Sequence, residues 1–224
     1  GYGVTYTEPE DVMAKVKKYY DAGYQMMIHA IGDRAGDIVP DAYEAALKGK
    51  PRPDHRQRIE HITIAARNIP RIKELGVCLT RQPAFIYYFG ADFGPNLGPA
   101  RAARTMATRS AQDSGAHWGI STDCPVIDNH PKHTLYGALA REVGPTGEIL
   151  GPEEAITMEE ALAAYTMGGA YLSFEEMVKG PVKPGMLAAF AVRATTRLAN
   201  RGEMDLLTLD ILPHILGGEI FYSG

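Results

Sequence analysis

Two histidines and an aspartate stand at comparable places in three separate segments of this chain. His29 lies in Gln25-Met-Met-Ile-His-Ala-Ile-Gly-Asp-Arg34, His61 ends Arg58-Ile-Glu-His61, and Asp123 ends Trp118-Gly-Ile-Ser-Thr-Asp123. A short continuous apolar run reads as a strand buried on both faces, as in a parallel sheet. The C-terminal ends of such strands are where α/β folds carry their chemistry. Three strand ends that deliver His, His and Asp deliver metal-ligand types.

The elements that must position them follow from pattern and punctuation. Strands are expected at 24–30, 57–62, 77–82 and 117–122. Helices are expected from the capping-box spacing Thr7-Glu8-Pro9-Glu10, at 35–48, near 66–75, at 99–114, at 131–142 behind Pro131, and from Thr157-Met-Glu-Glu160 to 167. The Tyr-, Phe- and Gly-rich stretch 84–98 reads as a long loop on the catalytic face. Residues 1–6 read as extended. After residue 180 the turns at Gly180, Pro181, Pro184 and Gly185 give way to strand-like runs at 188–194 and 215–222, with 195–214 carrying no clear pattern. Alternation of strand and helix up to about residue 175 indicates a parallel sheet with right-handed crossovers. Four β/α units are half of what a closed barrel needs. An open doubly wound sheet is the alternative, but no G-x-G-x-x-G turn follows the first strand.

Bulk properties narrow the function classes. The chain has 224 residues, is 45% hydrophobic and 22% charged, and carries a formal net charge of −4. No basic patch suggests nucleic acid, and no apolar run reaches the ~20 residues of a membrane span. Cys78 and Cys124 sit in apolar stretches and read as reduced and buried, in keeping with a cytoplasmic protein. His55, His130 and His133 read as surface histidines, Trp118 as core, and Asp33 and Arg34 as a helix cap or local ion pair rather than substrate contacts. Glu60, one step from His61 on a strand, is expected to face the outer layer as a paired acid. The run Phe85-Ile-Tyr87-Tyr88-Phe89-Gly90 either lines a substrate pocket or packs on the sheet rim. Gln82 either hydrogen-bonds substrate or caps its strand.

Taken together, His-Ala-Ile-Gly-Asp (29–33), Arg-Ile-Glu-His (58–61), Gln-Pro (82–83) and Ser-Thr-Asp-Cys-Pro-Val (121–126) resemble the amidohydrolase superfamily, in the branch called amidohydrolase family 3. Arg109 with Gly115, Pro131 with Arg141, Gly180-Pro-Val-Lys-Pro-Gly185 and the closing Leu216-Gly-Gly-Glu-Ile-Phe-Tyr222 extend the likeness over nearly the whole chain. The resemblance implies an α/β fold: the C-terminal half of a (β/α)8 TIM-type barrel of a metal-dependent hydrolase over 1–178, then a short β segment of a β-sandwich over 179–224. It implies His29, His61 and Asp123 as ligands of a divalent metal, zinc foremost, with one or two ions. Asp123 would also serve as the proton shuttle. Gln82, Phe85, Tyr87 and Tyr88 would contact substrate.

The reaction implied is hydrolysis of a non-peptide amide-type C–N bond in a small molecule. A bound cation lowers the pKa of water from ~15.7 towards ~7, and a neighbouring carboxylate moves the proton. The family's first-strand His-x-His pair and its middle-strand bridging ligand have no counterpart in this chain, and Ala189 stands where the family usually has Asp. The expectation is therefore a chain that needs the N-terminal half of the barrel or a second chain. The alternative is a non-catalytic half-barrel fragment or interaction subunit.

Overall fold

Four parallel strands carry the chemistry-bearing residues: β1 (Met27–Ala30), β2 (Arg58–His61), β3 (Cys78–Arg81) and β4 (Trp118–Ile120). They lie side by side in chain order, so β1 and β4 are the two edges. The computed structural model describes residues 4–193, 206–207 and 211–222. Helices fill the connections: α1 (Pro9–Asp21), α2 (Asp33–Gly49), α3 (Ile69–Glu74), α4 (Ala84–Leu97), α5 (Pro99–Ala102), α6 (Thr108–Ser114), α7 (Pro131–Leu139), α8 (Met158–Ala163) and α9 (Gly169–Leu172). Among the described residues no helix is long and apolar enough to cross a membrane.

One face of the sheet holds the core. Ala30, Ile59, Leu79, Trp118 and Ile120 are buried together with side chains of α2, α3, α6, α7 and α8. Burying each large aliphatic chain contributes about 1.5–3 kcal/mol, which fixes the strand register. The register places His29 beside Glu60, Glu60 beside Thr80 and Thr80 beside Gly119 on the opposite face. α9 ties down the N-terminal end of the sheet, where its Tyr171 and Leu172 carbonyls accept hydrogen bonds from Arg56 and Gln25. A second, antiparallel sheet is built from β5 (Phe190–Arg193), β6 (Ile211–Leu216) and β7 (Glu219–Tyr222). Its β6–β7 hairpin turns on Gly217 and Gly218, both at positive φ, as a two-residue turn of this kind demands.

Several expectations are corrected. The stretch 84–98 is helix α4, not a loop. Its Ala84, Phe85 and Ile86 are buried, and Gly90 sits so close to Val143 that a Cβ there would lie 2.5 Å from Val143 Cγ2. Gly90 is thus a packing glycine within a helix, not a loop signal. The single helix expected at 99–114 is two, because the buried Arg141 guanidinium takes the carbonyls of Ala103, Thr105 and Met106 out of helical use. β1 is not buried on both faces: it is an edge, and Met27 is 62% exposed. Thr7 makes no capping box, the N-cap of α1 being Glu8 without a side-chain bond. The Thr157–Glu160 box does form. Cys124 is exposed on the loop after β4, whereas Cys78 is buried; both are free thiols. Residues 1–3 of the extended run, residue 194 of the run 188–194, and residues 195–205 and 208–210 lie outside the described residues.

His55 is not on a solvated face either. It is buried, with Nδ1 accepting from the Gln57 amide at 3.0 Å and Nε2 donating to the Leu75 carbonyl at 3.0 Å. Burial above all holds its pKa below the usual imidazole value. The unfolded chain then takes up the proton first on acidification. The contribution of His55 is fully present above the unfolded value of about 6.5 and is lost as pH falls from there through the lower folded value. Urea midpoints measured from pH 8 to 5 should therefore fall on the acid side, and His55→Gln should flatten that part of the profile.

Candidate metal centre

The two histidines meet although 32 positions separate them in the chain. Register brings Ala30 opposite His61, and the imidazole rings of His29 and His61 lie edge to face with centroids 4.5 Å apart. A strict two-residue alternation would send Glu60 and His61 to opposite faces. The backbone breaks that rule: His61 has φ 75°, and the next residue, β-branched Ile62, has φ 46°. This left-handed turn swings His61 towards His29. Glu60 meanwhile stays on the His29 face, paired with Arg58 at 2.5 Å and accepting from Thr80 at 3.3 Å. The outer-layer placement of Glu60 is thereby corrected, while its pairing stands. Asp123 is also left-handed, at φ 61°. Non-glycine residues in this region cost about 1–3 kcal/mol and gather at functional sites.

His61 is 4% exposed and firmly oriented. Its Nδ1 donates to Gln82 Oε1 at 2.8 Å, and Gln82 Nε2 donates in turn to Ser121 Oγ at 2.8 Å. That chain fixes the tautomer and leaves the Nε2 lone pair available, which is how the outer hydrogen bond of a metal-binding imidazole works. Gln82 is buried with both ends of its amide engaged, so the structure gives it a supporting place behind His61. The sequence signal for this was in view: Gln82 and Ser121 both follow the last residue of neighbouring strands. Phe85, the second residue of α4, stacks on His61 with centroids 6.1 Å apart.

Charge at the site favours neutral imidazoles. Partial burial and then the facing His61 lower the pKa of His29, against the opposite pull of Asp123 and Glu60. A neutral ring is the form that binds a cation. Asp123 lies within electrostatic reach of His29. Among the described residues, however, no three His, Cys, Asp or Glu side chains close a metal site by themselves. The structure brings two ligand types together and leaves the third nearby. A groove of about 640 Å³ along the free edge of β1 reaches His29 and is lined by Val4, Tyr6, Met27, Ile28 and Ile31 among others. Neutral imidazoles are donors that a divalent cation accepts, and two of them leave most of its coordination open.

Tyr87 and Tyr88 are half-buried on α4, further round the rim. His133, read from sequence as a surface residue, is half-buried instead. It hydrogen-bonds Tyr88 through Nδ1 at 2.9 Å and stacks on Tyr87. His130 caps α7, where its Nδ1 accepts from the Lys132 amide. Asp33 pairs with Arg67 and Arg101.

Replacing Gln82 by Leu keeps the volume and removes the acceptor behind His61. Metal affinity should fall about 10–100-fold, the range for such supporting partners, with the urea midpoint moving far less. Isothermal titration with zinc checks this.

Residues 2–222 match the amidohydrolase family. Among curated proteins, the chain is 30% identical over 196 residues to Protein LONG AFTER FAR-RED 3 of Arabidopsis thaliana, covering 87% of this chain and 34% of that protein. It is 31% identical over 224 residues to an N-substituted formamide deformylase of Arthrobacter pascens, covering 97% of this chain and 39% of that protein. Among solved structures, an uncharacterized metal-dependent hydrolase from Pyrococcus horikoshii superposes with a TM-score of 0.69 at 28% identity, over 82% of this chain and 36% of that one. The chain thus spans little more than a third of the length of these relatives.

Proposed function

The chain belongs to the amidohydrolase family, and on that premise we propose that the whole protein is a metal-dependent hydrolase cleaving an amide-type C–N bond in a small molecule. The observation that carries this is the His29–His61 pair, turned together at adjacent strand ends and backed by Gln82. The four-stranded sheet is part of a barrel, and the site sits at the C-terminal ends of its strands. His29 and His61 would hold the cation with Asp123 as a third ligand. Zinc suits neutral imidazole and carboxylate donors. When bound, the metal would supply a Lewis acid and a nucleophile usable at neutral pH.

The chain's own residues do the rest. Gln82 holds His61 in one tautomer. Phe85 covers the ring and keeps bulk water from that side. An Asp123 carboxylate oxygen accepts the proton of the attacking water and passes it to the departing nitrogen. Phe85, Tyr87 and Tyr88 are the substrate-facing side chains in this reading.

The free edge of β1 favours a second reading of the chain taken alone, as a non-catalytic half that is completed by an N-terminal half or a partner chain. One experiment separates them: assay the whole natural protein and the isolated chain on simple N-alkylamides, with and without chelator and added zinc. Zinc-restored turnover by the whole protein supports the hydrolase. An isolated chain that stays inert with added zinc while the whole protein turns over supports the second reading of the chain alone, and zinc-restored turnover by the isolated chain overturns it.

A further inference from the structure

A ladder of rings leads away from the candidate metal centre. Phe85 stacks on His61 at 6.1 Å, Phe89 meets Phe85 edge to face at 5.1 Å, Tyr88 lies 6.4 Å from Phe89, and His133 meets Tyr88 edge to face at 5.3 Å. Tyr88 and Phe89 follow Phe85 by three and four residues, so both flank its face of α4. Opposite them, α7 supplies His133, stacked on Tyr87 at 5.1 Å. Two different β/α connections therefore build one wall.

The wall is only partly closed. Phe85 is buried, but Tyr88, Phe89 and His133 are half-buried. These rings are not closed off by the packing around them. Nor is the far end purely apolar, since Tyr88 Oη and His133 Nδ1 hydrogen-bond at 2.9 Å. Burial is the main cause that raises the pKa of Tyr88 and lowers that of His133. Both groups are neutral near pH 7. In the tautomer where the phenol donates to Nδ1, the imidazole proton sits on Nε2, from which it can be donated to a ligand.

We propose that Phe85, Phe89, Tyr88 and His133 form the subsite for a neutral aromatic substituent on the substrate, with His133 as a specificity-determining residue. The ring faces supply offset and edge contacts to an aromatic group. The imidazole edge donates to an acceptor or to the π-face of that group, and Tyr88 positions it. Lys132 and Asp128, the charges that reach His133, act on it with opposite signs, so no single fixed charge invites a charged substituent there. This inference rests on the hydrolase reading for its substrate but not for its binding test.

The test uses the whole natural protein with two probes, N-phenethylformamide and N-ethylformamide. In NMR of isotope-labelled histidine nitrogens, the His133 signal, assigned by its loss in His133→Phe, should shift with the phenethyl probe and stay unmoved with the ethyl probe. In turnover, His133→Phe, which keeps the ring stack, and Tyr88→Phe should raise KM for the phenethyl amide roughly tenfold. The rise in KM for the phenethyl amide should exceed any rise for the ethyl amide by about tenfold. A His133 shift without any turnover would remove the hydrolase reading and support the subsite. Turnover without a His133 shift, or equal losses on both amides, would overturn the subsite and leave the hydrolase reading standing.

Discussion

Replacing His61 with alanine should abolish metal retention by the whole protein and its turnover with it. His61 is the most constrained of the three ligand candidates: buried, left-handed, hydrogen-bonded by Gln82 and stacked under Phe85. Removing a supporting partner costs about 10–100-fold in affinity, so removing the ligand itself should cost more than ~100-fold. The fold should suffer less than the site. Alanine keeps a Cβ at the left-handed position 61, so the backbone strain stays and the cost to the fold is the packing of the missing ring. Metal content after dialysis, read beside the urea midpoint, separates the two effects. A variant that keeps its metal would remove His61 from the centre.

The largest effect on stability should come from Arg141→Met. Arg141 is fully buried and left-handed, and its guanidinium donates to the carbonyls of Leu150 at 2.7 Å, Thr105 at 2.9 Å, Met106 at 3.2 Å and Ala103 at 3.3 Å. Burial pushes its pKa down to about 10, against the pull of Glu154, so it is still charged at neutral pH. Methionine fills much of the stem but leaves four carbonyls without their donor and removes a positive charge that acts on the buried Glu154. Breaking such an arrangement costs about 3–5 kcal/mol. The urea midpoint should fall sharply at unchanged slope. A loss under about 1 kcal/mol would mean that those carbonyls find water instead.

What the sequence disclosed and what it hid divide along physical lines. The strands that carry His29 and His61 were legible because a short apolar run bounded by turn residues is a local pattern. The convergence of the two histidines was implied by the family resemblance alone; its cause, a left-handed turn at His61 and Ile62, is one that no local propensity requests. α4 was missed because Gly90 and the aromatic run look like a loop in isolation. The packing that demands a glycine there comes from Val143, 53 positions away. The break between α5 and α6 was invisible for the same reason, its cause being Arg141. Gln82 was singled out as a substrate contact, yet only the fold shows that its amide is engaged with His61 and Ser121. The exposure of β1 depends on its place at the sheet edge, which no window of residues encodes.

The convergence of His29, His61 and Asp123 on one cation can be tested by anomalous diffraction at the zinc edge, using crystals of the whole natural protein grown with zinc. The account predicts a peak within bonding distance of nitrogen atoms from both His29 and His61, with an Asp123 oxygen completing this chain's share. A zinc peak bound elsewhere, with the His29 and His61 rings still packed edge to face and ligating nothing, would contradict it.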